Sequence, residues 1–275
     1  MSSLSQTNRD RTKPIIDAER FHGAMVFSAI GDALGWPTEF LREKYHIEPQ
    51  FPLPIRDFVS WKKLVGGKWW GYKDYIGPGE YSDDTQLSLA IARCISSTGE
   101  FEPQRFAYTE LPLWLHYQRG GGRSIKLAAR SLLRTSSSWE HNFYKQGKLE
   151  YRRAGANGSA MRNLPIALAS AGIEEKIVKY SFINALITHG HPRAILGTIL
   201  FGLAVNYILT QSQHNITART MVEYLTDRMI NIQDLYSQDP TISKWIQKWN
   251  DLSIKESTLR FDSIFSRTQA EANDY

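Results

Sequence analysis

The sequence predicts an all-α protein, a compact single-domain helical bundle with a long loop after its first helix. Three observations carry that expectation. Apolar residues recur at helical spacing over most of the chain from Asp83 onward. Alternating patterns rarely survive four residues, so strands have little to build on. The chain has 275 residues, 42% hydrophobic, 12% aromatic and 22% charged, which suits a soluble globular domain and excludes wholesale disorder, collagen and coiled coil.

Taken in order, residues 1–16 read as a disordered leader, and 17–275 as the helical domain. Asp17 is a candidate N-cap for a first helix running to about Leu34. Gly23, Gly31 and Gly35, with Ala24, Ser28 and Ala29, give that helix small residues on more than one face. Glycine weakens a helix, so close packing of backbone against backbone or ligand is the expected reason. Residues 36–81 hold Pro37, Pro49, Pro52, Pro54 and Pro78 and show no sustained period. A loop of this length inside a compact domain is usually functional. Helices follow at 83–96, 103–118, 123–136, 159–171, 174–188, 192–210 and 217–231, with one more near 241–250. The apolar run Ala194–Leu209 is slightly short for a bilayer span and reads as a helix buried on all sides. The polar tail after Asp251 has no assignable pattern.

Lys and Arg number 33 against 28 Asp and Glu, a net charge of +5. The excess is spread out, which tolerates an anionic ligand but does not make a nucleic-acid surface. Cys94 is the only cysteine, so no internal disulfide or cysteine metal site forms, and a buried free thiol suits a reducing cytoplasm. The polar N-terminus lacks the apolar core of a signal peptide. The expectation is a cytoplasmic protein with no membrane partner. Oligomeric state is left open.

Four constellations could carry chemistry. Ser82-Asp83-Asp84-Thr85 precedes an apolar helix. It reads as an N-cap with acids complementing the helix dipole, and also as a set of hard oxygen donors for Mg²⁺ or Mn²⁺. In Gly31-Asp32-Ala33-Leu34-Gly35-Trp36-Pro37-Thr38-Glu39, a helix is stopped by glycine and proline. Asp32 there opposes the helix dipole, which invites a second role around a cation, and Glu39 beside aromatic residues is a candidate for proton transfer. Asn157-Gly158-Ser159-Ala160-Met161-Arg162 is a glycine turn entering a helix, where free N–H groups suit phosphate; any Asn-Gly turn looks similar. Arg119-Gly120-Gly121-Gly122-Arg123 is a second such entry. Thr188-His189-Gly190-His191 reads as a tight turn, because histidines two apart do not share a helix face for zinc.

Together and in this order, the motifs resemble the ADP-ribosylglycohydrolase family over about Phe21 to Leu209. The resemblance implies an all-α fold of that type and a centre of two Mg²⁺ or Mn²⁺ ions. It implies hydrolysis of the bond joining ADP-ribose to a side chain, arginine first, or a related ADP-ribosyl substrate. By position it makes Ser82, Asp83 and Asp84 metal ligands and puts Glu39 at the ribose end as gate or acid/base. Gly158 and Ser159 would cradle the diphosphate. Asp32, Gly122, Asn157, Met161 and His189 would complete the cleft. The implied partner is an ADP-ribosylated protein or an ADP-ribose-containing small molecule. The family also carries an Asp-x-Asp-Thr metal signature toward its C-terminus, and this sequence contains none. Alternative readings are therefore an inactive ADP-ribose-binding or toxin-neutralising member, and a C-terminally incomplete fragment.

Overall fold

A computed structural model describes residues 18–39, 50–65, 71–212 and 215–251, with 260, 261, 263, 265–267 and 270 beyond them. The expected leader and its Asp17 cap lie outside the described residues. The first helix, α1, spans Ala18–Gly35 and runs into a 3₁₀ turn at Trp36–Thr38. Its glycines are not explained by packing among the described residues. A methyl group added at Gly23, Gly31 or Gly35 would meet nothing within 4 Å. Ala33 is the buried residue of this helix, and Phe27 is 73% exposed.

The stretch expected to be an open loop contains an antiparallel hairpin, β1 Trp61–Val65 against β2 Tyr72–Ile76, with Lys63 opposite Asp74. Period-two geometry puts Trp61 and Lys63 on one face. Trp61 packs with Trp36, Ile76 and Phe51 in a small satellite core. The Trp36 and Trp61 rings meet edge-on at 5.2 Å.

Next comes α2, Asp83–Ala92, then a helical stretch with a π turn at its centre: Pro103–Arg105, Phe106–Glu110 and Leu111–Trp114. One regular helix to 118 does not form. Pro112 has no N–H to donate, and the wider π turn before it absorbs the missing bond. The glycine loop leads to α3, Arg123–Leu132. The helix expected from 159 begins five residues later, as α4, Leu164–Ala169. Pro165 sets that start, since its ring fits only the first turn. The centre of the fold is the pair α5, Glu174–Leu186, and α6, Pro192–Thr210. Helix α6 is long and apolar enough to cross a membrane by composition, yet half of it is buried in the fold. It is not buried on all sides: Arg193, Gly197, Phe201 and Ile208 form one exposed stripe at helical spacing.

Three helices follow: α7 Ala218–Ile230, α8 Ile232–Tyr236, which was not expected, and α9 Pro240–Asp251. Trp245 and Trp249 of α9 are fully buried with Phe182, Phe261 and Phe265, so the polar tail contributes two core aromatics. This aromatic wall also fixes the turn after α5. Trp249 Nε1–H donates to Gly190 O at 2.9 Å, and the Tyr151 hydroxyl donates to Leu186 O. Cys94 is buried as expected, and burial pushes its thiol up to about 12.

Candidate active site

A cleft of about 830 Å³ opens between the end of α1, the start of α2, the hairpin, the glycine loop and the Asn157 turn. Ten predicted residues line it: Asp32, Glu39, Ser82, Asp83, Asp84, Gly122, Asn157, Gly158, Met161 and His189. Ser159 does not. It lies fully buried below, its hydroxyl 2.7 Å from Thr198 Oγ1, so its side chain points away from any ligand.

The acidic wall is built around Asp32. Its carboxylate accepts from Ser82 N–H at 3.0 Å, Ser82 Oγ–H at 2.6 Å, Thr85 N–H at 3.0 Å and Thr85 Oγ1–H at 2.7 Å. An acid at the C-terminal end of one helix thus serves the N-terminus of another, where N–H groups lack partners. Ser82 is also the N-cap of α2, accepting from Asp84 N–H at 3.2 Å. This arrangement holds Asp83 and Asp84 on the first turn, facing the cleft.

Both acids resist ionisation. Burial pushes the Asp83 carboxyl up, while the Gly121 N–H bonded to it works the other way. Asp84 is pushed up to about 7, by burial first and then by the carboxylates of Asp83, Asp32 and Glu39. Glu39 itself is exposed at the mouth. Gly120 and Gly121 have φ of +86° and +66°, a backbone that favours glycine. A methyl at Gly120 would lie 2.5 Å from Asp83 Oδ1. Gln86 pins this loop, its Oε1 accepting from Trp114 Nε1–H at 3.1 Å and Arg119 N–H at 3.0 Å.

The opposite floor is cationic underneath and neutral at the surface. Arg162 is fully buried with no carboxylate among its partners. Its guanidinium donates to Asn184 Oδ1, Gly158 O, Asn184 O and Thr188 Oγ1, each at 2.8 Å. Burial holds its pKa down, to about 9. His189 is held down to about 3 by burial and then by Arg162, so the ring is neutral. Thr188 Oγ1 accepts a hydrogen bond from Arg162 and lies 2.7 Å from His189 Nδ1. The hydroxyl therefore donates to Nδ1, and the ring proton is assigned to Nε2. Gly158 allows a close approach, since a methyl there would sit 2.7 Å from Ile125 Cδ1 and 2.8 Å from His189 Cε1 and one of them would have to shift.

Sequence reasoning missed Lys63, which lines the cleft from β1, and Arg162, which sits beneath it. A lysine in a Pro- and Gly-rich stretch carries no mark of burial. Arg162 did fall inside a recognised motif, but without a role.

The acidic wall, the glycine turns and the Thr-His turn are thus brought to one cleft. The profile of the ADP-ribosylglycohydrolase family matches residues 13–271. The chain belongs to this family. It is 29% identical over 192 residues to the ADP-ribosyl-[dinitrogen reductase] glycohydrolase of Rhodospirillum rubrum, covering 70% of this chain and 58% of that protein. It is 25% identical over 202 residues to the ADP-ribosylarginine hydrolase Tri1 of Serratia proteamaculans, covering 70% and 48%. It is 28% identical over 206 residues to the ADP-ribosylhydrolase ARH3 of Danio rerio, covering 71% and 49%. The chain spans about half the length of these relatives.

The acidic wall carries oxygen donors of the kind a hard divalent cation takes. Asp83, Asp84 and Ser82 offer oxygens, and burial and then neighbouring carboxylates raise the Asp84 carboxyl. Asp32 has its oxygens taken up by α2. Among the described residues no group of three or more His, Cys, Asp or Glu is arranged to hold a metal. Water would fill most of the shell of such an ion, as Mg²⁺ permits.

Proposed function

We propose that this ADP-ribosylglycohydrolase family member hydrolyses the bond between ADP-ribose and a protein side chain, with ADP-ribosylarginine the first substrate to test. The observation that carries the reading is a single cleft with carboxylates on one wall and an anion-friendly floor opposite. The names of the relatives point to the same class of substrate.

The floor positions the ligand. Backbone N–H groups of the Asn157 turn and the neutral Nε2–H of His189 face the diphosphate, and the buried Arg162 cation favours its charge from below. Holding the diphosphate sets the ribose against the acidic wall. A divalent cation held by Ser82, Asp83 and Asp84 would polarise the ribose hydroxyls and lower the pKa of water. Glu39, exposed at the mouth, accepts a proton from the attacking water. The water oxygen bonds to the ribose C1″, the C1″–nitrogen bond breaks with its electron pair going to nitrogen, and the leaving guanidine takes up the proton.

The test is to incubate the chain with ADP-ribosylarginine, with and without Mn²⁺, and follow free ADP-ribose by chromatography. Cation-dependent release is expected. The absence of a three-acid metal cluster among the described residues favours one second reading, an ADP-ribose-binding protein without turnover. Calorimetric ADP-ribose binding with no release from any ADP-ribosylated acceptor would establish that version.

A further inference from the structure

We infer that the outer face of α3 is where an acidic segment of the ADP-ribosylated protein docks, with the modified side chain entering the cleft beside it. The inference rests on the part of the reading above that puts ADP-ribose in the cleft. It adds the chemistry of the polypeptide that carries it.

The positive charge of the chain is concentrated at this helix rather than spread. Residues 111–139 hold Arg119, Arg123, Lys126, Arg130 and Arg134 and no Asp or Glu, a charge of +5. The whole chain has the same +5, so the remaining residues balance one another. In the fold, Ile125, Ala128, Ala129 and Leu132 turn one side of α3 into the core. Helical spacing gathers Arg123, Lys126 and Arg130 on the opposite side, and Arg134 follows just past the helix end. The three arginines are exposed and Lys126 is half-buried. Leu133, next to Arg134, is 62% exposed and adds an apolar contact to the same edge.

Two of these cations stand where a helix does not favour them. The first turn of α3 has no acid, and Gly122 supplies no side-chain cap. Arg123 and Lys126 therefore add positive charge to the positive end of the helix dipole. Neighbouring acids offset only part of it. Arg119 is paired with Glu80 at 3.0 Å. Lys126 is drawn by Asp83 and repelled by Arg130. Among the described residues Arg123, Arg130 and Arg134 form no ion pair.

Position decides what such a face meets. Arg123 lines the cleft with Gly120, Gly121 and Gly122 and is itself exposed, so α3 starts at the rim. Arg130 stands about 10 Å further along the helix axis. A side chain joined to ADP-ribose leaves through the mouth, and its polypeptide then runs past this track. An extended segment of three to four residues covers about 10 Å. Carboxylates on that segment match the guanidinium groups in charge and in paired hydrogen-bond geometry.

The experiment follows binding of two synthetic peptides to the full chain by fluorescence anisotropy in metal-free buffer. Each peptide carries one ADP-ribosylarginine, flanked by glutamates in one and by lysines in the other. The variants are Arg130→Glu with Arg134→Glu, outside the cleft lining, and a control of equal charge, Lys145→Glu with Lys148→Glu, exposed on another turn. Thermal melts establish folding, and free ADP-ribose should bind all three proteins alike. The parent should prefer the glutamate peptide by about ten-fold at low salt, and the preference should fade in about 0.5 M salt. The α3 variant should lose or reverse the preference, and the control should keep it. Equal binding of both peptides by the parent overturns the inference. So does a preference that survives in the α3 variant or that the control loses equally. Phosphatidylserine vesicles or duplex DNA bound more tightly than the glutamate peptide, and released by the α3 variant, would assign the face to another polyanion and overturn it too. If the α3 variant does not fold, single Arg130→Gln and Arg134→Gln variants decide by a weakened preference. A preferred glutamate peptide that is never hydrolysed when Mn²⁺ is added keeps the inference and removes the hydrolytic reading. No binding of ADP-ribose or of either peptide by the parent removes both.

Discussion

The two sides of the cleft handle buried charge in opposite ways. The acidic wall collects Asp32, Asp83 and Asp84 at one helix start and pushes the Asp83 and Asp84 carboxyls up. The floor buries a guanidinium among neutral acceptors and keeps His189 uncharged. The described hydrogen-bond partners of Asp32 and of Arg162 are all neutral groups. The difference suits opposite ligands: a cation would offset the acids on one side, and an anion the guanidinium on the other.

The floor is where the comparison is most easily broken. Arg162→Met removes the donor for Gly158 O, Asn184 O, Asn184 Oδ1 and Thr188 Oγ1, all deep in the fold. Each stranded acceptor keeps its desolvation penalty, and the expected loss is about 3–5 kcal/mol in urea unfolding. A loss under about 1 kcal/mol would mean the guanidinium is a burden tolerated for ligand binding alone.

On the acidic wall the corresponding change is Asp32→Ala. It strips the N-terminus of α2 of a charged acceptor from a helix fifty residues earlier in the chain. The expected loss is about 2–3 kcal/mol, with Mn²⁺ binding weakened because Ser82 and the first turn lose their anchor. Unfolding and Mn²⁺ titration on the same variant check both.

His189 sharpens the contrast through pH. Its ordinary value of 6.5 falls to about 3 in the fold. The unfolded chain therefore binds a proton that the native chain refuses. Stability carried by neutral His189 is present above about pH 6.5 and drains away as pH falls toward 3. Between about pH 7 and pH 5 the parent should lose about 1–2 kcal/mol that His189→Gln does not lose. Parallel melting curves for the two would place the ring in water rather than in the floor.

What the sequence made legible follows from the range of the interactions. The cap at Ser82 and the acids after it are local, and the structure keeps them as read. The bounds of α6 are set by Pro192 at one end and polar residues at the other, and they agree to the residue. The role of Asp32 needed a partner fifty positions away, so a single helix showed only an acid in the wrong place. The hairpin escaped notice because two five-residue strands rich in lysine and tyrosine lack a clean alternation. Lys63 escaped with it. In the tail, Phe261 and Phe265 are four apart, which was a helical signal too brief to read against polar neighbours. Pro112 and Pro165 were readable and explain why two expected helices are shorter.

The smallest expected effect is the one that separates a wall short of cations from a mere helix cap. Asp84 has an ordinary value of 3.8 that rises to about 7, so the native chain holds a proton the unfolded chain has released. Stability from this group falls as pH rises through that window. In metal-free buffer Asp84→Asn should be more stable than the parent by about 1 kcal/mol near pH 8, and no more stable near pH 4. Part of the shift is damped by water, since the side chain is half-buried. Adding Mn²⁺ should reverse the order at pH 8, because the cation gains a carboxylate only in the parent. A variant that is less stable than the parent at pH 8 without metal would mean that the helix dipole outweighs the crowding of acids. The wall would then be complete as it stands, and only the floor would be waiting for a ligand.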